Sequence, residues 1–344
     1  MKKIAIFSVG TGGHVLPAKN IISELQAQGI PLEKFIFITD KRGFEYLNDF
    51  KIKVHLLDVY RSKYGILGYI LNFYKLFKTV YVSRKILIKE NVTIVLTTGS
   101  YIAPVASFLT FIMRIKLFIQ EQNIYAGLGN KIASNFPCVI FTSYPNTKNL
   151  VKKRIYHVGP VINNNLIKSK KTNSSNFTLG VQGGSQGSEE LNKLFYEYYM
   201  NNNLNEINIL HITGKGKDFK NIKDENYTQH DFIKEMHKYY SKIHLQISRA
   251  GGGSLEAAYL GIPQILIPYK HGTTSSHQLL NAEYLETIGL AVIVNSYNEL
   301  DKVLSNILDN LDNWENIYFK KNNIESGNKK ITEMILREIN AEEI

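Results

Sequence analysis

Apolar residues along the chain follow two alternating patterns, short runs rich in Ile, Val and Phe, and longer stretches where they recur every three or four positions. The short runs predict strands at 3–7 (KIAIF), 34–39, 54–57, 93–96, 116–119, 139–142, 177–181 (FTLGV), 209–212, 243–247 (IHLQI) and 264–268. Strands that alternate with helices imply parallel sheets made of βαβ units. Three strands run straight into glycines and then a helical pattern. Residues 3–7 lead into Gly10-Thr11-Gly12-Gly13-His14, with a helix over 17–28 that has Pro17 in its first turn. Residues 177–181 lead into Gly183-Gly184-Ser185-Gln186-Gly187 and a helix from 189. Residues 243–247 lead into Arg249-Ala250-Gly251-Gly252-Gly253 and a helix over 254–260, with Ser254 as its N-cap.

The strand–glycine–helix start near 177 opens a new sheet, and the polar run 168–176 (KSKKTNSSN) is the expected linker. The predicted fold class is α/β, with two Rossmann-like doubly wound domains facing a cleft. Ligands of such sheets bind at the carboxyl ends of the strands, so all three glycine turns are expected to open toward that cleft.

A chain of 344 residues with 44% hydrophobic content can bury two such cores. The single cysteine, Cys138, excludes an intramolecular disulfide and fits a reducing compartment. The apolar run at the N-terminus is too short for a signal peptide, and no stretch reaches the roughly 20 apolar residues of a spanning helix. A soluble or surface-bound cytoplasmic protein is expected. The net charge of +11 suits nucleic acid, an anionic membrane or anionic substrates, and does not choose among them.

A glycine turn entering a helix offers backbone N–H groups and the positive end of the helix dipole, which suit phosphate. Gly10-Thr11-Gly12-Gly13-His14-Val15 partly fits a dinucleotide fingerprint, with Asp40 ending the next strand, but Val15 stands where a third small residue belongs. No turn has the Lys-Ser/Thr ending of a P-loop. The sequence 183–187 matches G-x-S-x-G, yet the acid and histidine a hydrolase needs, Asp231 and His237, are only six apart in a polar stretch.

Together, Gly10-Thr11-Gly12-Gly13-His14 with Pro17, Glu121-Gln122-Asn123 through Ala126-Gly127-Leu128 to Asn130-Lys131, Gly183-Gly184-Ser185-Gln186-Gly187 with Asn192, and Ser248-Arg249-Ala250-Gly251 resemble the MurG family of glycosyltransferases. Gly261-Ile262-Pro263 through Ile267-Pro268 to His277-Gln278 and Asn281-Ala282 match as well, so the resemblance runs from residue 10 to 282. It implies a GT-B fold and inverting transfer of N-acetylglucosamine from UDP-N-acetylglucosamine to a polyprenyl-diphosphate-linked muramyl peptide in peptidoglycan synthesis, with no cofactor, no metal and no nucleic-acid partner. A UDP-sugar transferase with another lipid acceptor and a UDP-N-acetylglucosamine epimerase are the alternatives. The implied domains are 1–162 for acceptor and membrane, 163–325 for the UDP-sugar, and 326–344 as a helix returning to the first.

By the same resemblance Ser185, Gln186, Gly251 and Gly252 meet the diphosphate and Glu256 accepts from the ribose hydroxyls, as a carboxylate can do twice. Glu256 also suits a plain first-turn residue facing the helix dipole. Ile233, after Phe232, meets the uracil, and Gln278 and Asn281, three apart on one helix face, read the sugar hydroxyls. Thr11, Gly12, Gly13 and Asn123 complete the substrate-binding set. The acceptor hydroxyl must lose a proton, and the base is either His14 or a water chain through Glu121.

A polyprenyl acceptor implies contact with an anionic membrane surface, on the cytoplasmic side of the bacterial inner membrane. The stretch 61–89 is the candidate: Ile66, Tyr69, Ile70, Phe73 and Phe77 recur at helical spacing, with Lys75 and Lys78 beside them. A helix packed on the sheet is the competing reading. The chain departs from the family where Ile162-Asn163 follows Pro160-Val161 without the usual arginine, at a shortened Gly99-Ser100-Tyr101 loop, at a turn one residue short before Glu256, and at Gln120 where histidine is common.

Overall fold

A computed structural model describes residues 2–58, 65–151, 154–167, 176–217, 220, 222–269 and 275–341, although the side chains of 65–73, 167, 275–276 and 341 are not among those described. The expected linker, 168–176, lies outside the described residues apart from Asn176. The chain forms two compact units, Met1–Val161 with Ser326–Ile344, and Ile162–Glu325.

The first unit carries β1 (Lys3–Phe7), α1 (Gly12–Ala27), β2 (Phe35–Thr39), α2 (Lys41–Phe44), β3 (Lys53–Leu56), α3 (Gly65–Lys89), β4 (Val92–Thr97), α4 (Ala103–Met113), β5 (Lys116–Glu121), α5 (Leu128–Ala133), β6 (Val139–Thr142) and β7 (Ile155–His157). The second carries α6 (Asn164–Ile167), β8 (Thr178–Gln182), α7 (Glu189–Asn201), β9 (Asn208–Ile212), β10 (Tyr227–His230), α8 (Met236–Tyr240), β11 (Leu245–Ser248), α9 (Gly252–Tyr259), β12 (Gln264–Leu266), α10 (Ser275–Thr287), β13 (Ala291–Ile293), α11 (Tyr297–Leu308) and α12 (Glu315–Tyr318). Helix α13 (Asn328–Ala341) belongs to the first unit again.

Both sheets are parallel and wound alike, in the orders β3-β2-β1-β4-β5-β6-β7 and β10-β9-β8-β11-β12-β13. Strand order therefore reverses between β1 and β4 in one sheet and between β8 and β11 in the other. These are the positions where an open α/β sheet leaves room for a ligand. Central strands such as FIFIT of β2 and TLGVQ of β8 are buried throughout, as strands covered by helices on both faces must be.

The structure differs from the sequence reading at element ends and edges. Helix α1 begins at Gly12, so Pro17 lies inside it, and the glycines themselves form its first turn. Helix α9 begins at Gly252, capped by Gly251, while Ser254 turns its hydroxyl back to the Gly251 carbonyl. Strands β7, β10 and β13 went unpredicted because they are short, and IYH and YTQH lack an apolar run.

The chain re-enters the first unit at Gly327, whose N–H donates to the Pro160 carbonyl at 2.8 Å. Helix α13 then packs on α1, burying Ile331, Ile335 and Ile339 with Val15, Ala18 and Ile22.

At the opposite ends of the strands from the glycine turn, Glu90 ties three elements together. Its carboxylate, 4% exposed, meets Lys3 Nζ at 2.7 Å, Lys53 Nζ at 2.5 Å and His55 Nε2 at 3.4 Å. Hydrogen bonds from the two lysines outweigh burial and hold its pKa at about 2. A carboxylate with a depressed folded-state value adds stability above its ordinary value of about 4.5, and that stability is lost as pH falls toward 2. Glu90→Gln should therefore cost on the order of 3 kcal/mol at neutral pH, and move acid unfolding of the first unit to higher pH. Urea and pH titrations followed by circular dichroism read both effects.

Candidate active site

In the first unit the turn after β1 passes through Gly10 at φ 95°, a conformation that favours glycine. The Gly10 N–H donates to Asp40 Oδ1 at 2.9 Å, and the same oxygen caps α2 by accepting from the Gly43 N–H. Asp40 Oδ2 accepts from the Tyr101 hydroxyl at 2.9 Å and from the Arg42 guanidinium at 3.3 Å. Burial pushes this carboxyl upward, but the four donor groups prevail and hold it below its ordinary value. Asp40 thus holds the glycine turn in place. The turn sets Thr11 as N-cap and Gly12 and Gly13 as the first turn of α1, where backbone N–H groups lack helical partners.

His14 follows, half-buried, with ring Nδ1 at 2.8 Å from the Thr98 carbonyl after β4. A carbonyl only accepts, so Nδ1 carries the proton and Nε2 the lone pair of the neutral ring. The loop after β5 is fixed by Glu121, which is 4% exposed. Its Oε1 accepts from Asn123 N and Nδ2 at 2.9 and 3.1 Å, and its Oε2 from Gly127 N and Asn130 Nδ2 at 3.2 and 2.9 Å. A Cβ on Gly129 would stand 2.0 Å from the Ser100 carbonyl, so this loop and the one after β4 touch backbone to backbone. The ends of β1, β4 and β5 are therefore interlocked. His14 joins the first two, and Glu121 organises the third.

In the second unit the turn after β8 uses Gly184 at φ 83° and Gly187 at φ 69°, and it leaves Ser185 and Gln186 exposed. Gly187 is also required by space, since a Cβ there would stand 2.3 Å from the Thr213 carbonyl. Ser188 caps α7. The turn after β11 delivers Gly251 and Gly252 to the start of α9.

Arg249 braces these turns from behind. Its NH1 donates to the Ile267 and Pro268 carbonyls at 2.8 and 3.2 Å, its NH2 to Glu190 at 2.6 Å and Ser188 Oγ at 2.8 Å, and its Nε to Ser188 Oγ at 3.1 Å. Asn281, expected to read a sugar hydroxyl, is 1% exposed, and its amide donates to the Ala250 carbonyl at 3.1 Å. It supports the turn after β11 from within the protein. Gln278, half-buried, accepts from the Tyr269 N–H at 3.0 Å.

Glu256, half-buried in α9, accepts from the Tyr240 hydroxyl at 3.0 Å. Burial lifts its carboxyl to about 7, against the lowering effect of that hydrogen bond. Ile233 is packed against the cluster of Tyr239, Tyr240 and Ile243, while Phe232 is exposed with Lys215 Nζ 4.7 Å from its ring centre.

Among the proposed membrane residues, the side chains of Ile66, Tyr69, Ile70 and Phe73 lie outside the described residues. The rest of α3 serves two purposes. Thr79, Ser83 and Leu87 are buried toward the sheet, whereas Tyr74, Leu76, Phe77 and Tyr81 are exposed beside Lys75 and Lys78. Helix α4 packs against both α3 and α5, and Phe108, Phe111, Ile112, Leu128 and Ile132 on these helices are exposed as well. Exposed Arg114 and Lys131 belong to the same pair of helices. Among the described residues no helix is long and apolar enough to cross a membrane.

Two parallel Rossmann-like domains in one chain, each with a glycine turn at its switch point, are the build of a GT-B glycosyltransferase. Residues 4–142 match the glycosyltransferase family 28 N-terminal domain and residues 178–335 the family 28 C-terminal domain. The chain belongs to glycosyltransferase family 28. It is 30% identical to the UDP-N-acetylglucosamine–N-acetylmuramyl-(pentapeptide) pyrophosphoryl-undecaprenol N-acetylglucosamine transferase of Thermosipho africanus, over 90% of this chain and 92% of that protein. With the enzyme of that name from Rickettsia bellii it shares 32% identity over 83% and 84% of the two chains. Among solved structures, Acinetobacter baumannii MurG superposes with a TM-score of 0.70 at 24% identity, covering 92% of each chain. A UDP-GlcNAc 2-epimerase from Neisseria meningitidis shares the fold at a TM-score of 0.66 and 14% identity, over 98% and 100% of the chains.

Replacing Arg249 by Lys keeps the charge but removes the fork that reaches two carbonyls, a hydroxyl and a carboxylate together. The variant should unfold with a loss of roughly 2–4 kcal/mol in urea. A midpoint equal to that of the parent protein would show that the brace is dispensable.

Proposed function

We propose that the protein transfers N-acetylglucosamine from UDP-N-acetylglucosamine to a polyprenyl-diphosphate-linked muramyl peptide, with inversion at the anomeric carbon. The carrying observation is the grouping in the second unit of a carboxylate in α9, Glu256, with two glycine turns at one switch point. The glycine turns, with Ser185, Gln186, Gly251 and Gly252, meet the diphosphate. Glu256 accepts from the ribose hydroxyls, Ile233 and Phe232 border the uracil, and Gln278 faces the sugar. Asn281 acts through the Ala250 carbonyl it holds. The same named activity in relatives matched over more than four-fifths of their length supports this assignment.

His14 is the base of this reaction. The acceptor hydroxyl oxygen attacks the anomeric carbon, the bond from that carbon to the UDP oxygen breaks, and the hydroxyl proton passes to Nε2. The Thr98 carbonyl keeps the other ring proton on Nδ1, so the ring approaches the acceptor as a base. Glu121 has both oxygens engaged by Asn123, Gly127 and Asn130, and so shapes the acceptor loop. Thr11, Gly12 and Gly13 line the same end of the first sheet. Backbone N–H groups already aimed at the diphosphate stabilise the charge that develops as UDP departs.

The exposed apolar and basic surface of α3, α4 and α5 seats the enzyme on the cytoplasmic face of an anionic membrane, where the polyprenyl chain of the acceptor resides.

Labelled UDP-N-acetylglucosamine, incubated with and without the lipid acceptor, tests the activity. Label should enter lipid only when acceptor is present, and a free sugar product formed without acceptor points to epimerase chemistry and overturns the assignment. His14→Ala should lower kcat by roughly 100- to 10,000-fold, and a loss below tenfold removes His14 from the role of base. Phe77→Glu combined with Phe111→Glu should weaken sedimentation with anionic vesicles by roughly tenfold or more. Equal sedimentation of variant and parent places the membrane contact elsewhere.

A further inference from the structure

Three buried glutamines meet on neighbouring strands of the second sheet: Gln246 pairs with Gln264, and Gln182 lies two residues further along β8. Gln182 of β8, Gln246 of β11 and Gln264 of β12 are 5%, 0% and 0% exposed. Buried amides are costly unless their hydrogen bonds are met, so three in a row call for a reason.

Their bonds run in one direction. Gln264 Nε2 donates to the Ser254 carbonyl at 3.0 Å, and because a carbonyl only accepts, this fixes which end of the amide faces α9. Gln264 Oε1 then accepts from Gln246 Nε2 at 3.2 Å, and Gln246 Oε1 accepts from Gln182 Nε2 at 2.8 Å. Gln182 Nε2 also donates to the Tyr240 hydroxyl oxygen at 3.1 Å. With a donor on that side, the hydroxyl proton of Tyr240 has to point the other way. There it meets Glu256 Oε2 and the Gly253 carbonyl, both at 3.0 Å. The chain thus begins at Ser254 in α9, crosses three strands and α8, and returns to α9 at Glu256. Close packing accompanies it, since a Cβ on Gly253 would stand 3.0 Å from Gln182 Nε2.

We infer that Tyr240, aimed by the chain of Gln182, Gln246 and Gln264, is a positioning residue for the donor nucleotide: it holds Glu256 through Oε2 so that Oε1 is presented to the ribose hydroxyls. This rests on the reading of Glu256 as the ribose acceptor. A hydroxyl beneath a half-buried carboxylate fixes its rotamer and favours its ionised form, which accepts but does not donate. Tyr240 is the titratable group that acts on Glu256, and Tyr239, its neighbour in α8, acts on Tyr240.

The test compares full-length protein, Tyr240→Phe, Glu256→Gln and the double variant. UDP binding is measured by calorimetry, and kcat/KM for UDP-N-acetylglucosamine is followed from pH 5 to 9. Tyr240→Phe should weaken UDP binding and raise KM about tenfold while kcat stays within about threefold, as expected on losing a hydrogen bond to a charged group. The acidic limb of its kcat/KM profile should move to higher pH, because the ionised carboxylate has lost a donor. In the Glu256→Gln background the tyrosine substitution should change little. Gln182→Met leaves Tyr240 in place but removes the donor that aims it, and should give the same changes at about threefold.

An unmoved acidic limb with parental UDP affinity in Tyr240→Phe overturns the inference. So does a loss of affinity of equal size on both Glu256 backgrounds, which marks a structural role alone. Parental UDP affinity in Glu256→Gln instead removes the ribose reading itself, and the inference falls with it.

Discussion

In a parallel sheet wound outward in both directions from its first strand, the helices after the two central strands leave toward opposite faces, and backbone alone lines the gap between them. This chain meets that constraint twice, between β1 and β4 and between β8 and β11. Each gap is lined by glycine turns whose geometry is held by a single charged side chain. In the first unit the hub is an acceptor, Asp40, which gathers two backbone N–H groups, a phenol and a guanidinium. In the second it is a donor, Arg249, which gathers two carbonyls, a hydroxyl and a carboxylate. Each hub satisfies its buried charge by tying loop ends to one another, which holds the glycine turns in one geometry.

The same logic separates residues wholly engaged within the protein from residues held on one side only. Glu121 and Asn281 are buried and bonded to loop backbone, Glu121 to two side-chain amides as well, and they define the loops on which others stand. His14 and Glu256 are each held on one side, at Nδ1 by the Thr98 carbonyl and at Oε2 by the Tyr240 hydroxyl. In both, a neighbour fixes the chemical form as well as the direction of the group. The Thr98 carbonyl selects the tautomer of His14, and the Tyr240 hydroxyl favours the charged form of Glu256.

Much of this was legible in the sequence. The strand–glycine–helix order is local, and it located both switch points and most of the residues beside them. The start of α1 was misread because Pro17 suggested a first turn, whereas the helix accommodates it five residues in. Strands β7 and β10 escaped because edge strands need no continuous apolar run. The bracing role of Arg249 and the glutamine chain were hidden for a different reason, as their partners are distant in sequence and only the folded sheet brings them together. Phe108 and Phe111 repeat at helical spacing like core residues, and only the packing of α4 on its neighbours shows that they face outward.

The return of the chain to its first unit has a further consequence, in the order of synthesis. The isoleucines of α13 complete the packing around α1, yet the ribosome makes them only after it has made the entire second unit. Until then the apolar side of α1 lacks its partner, and the first unit waits, with an incomplete core, for the last segment of the chain. The second unit is continuous and needs no returning segment to complete its core.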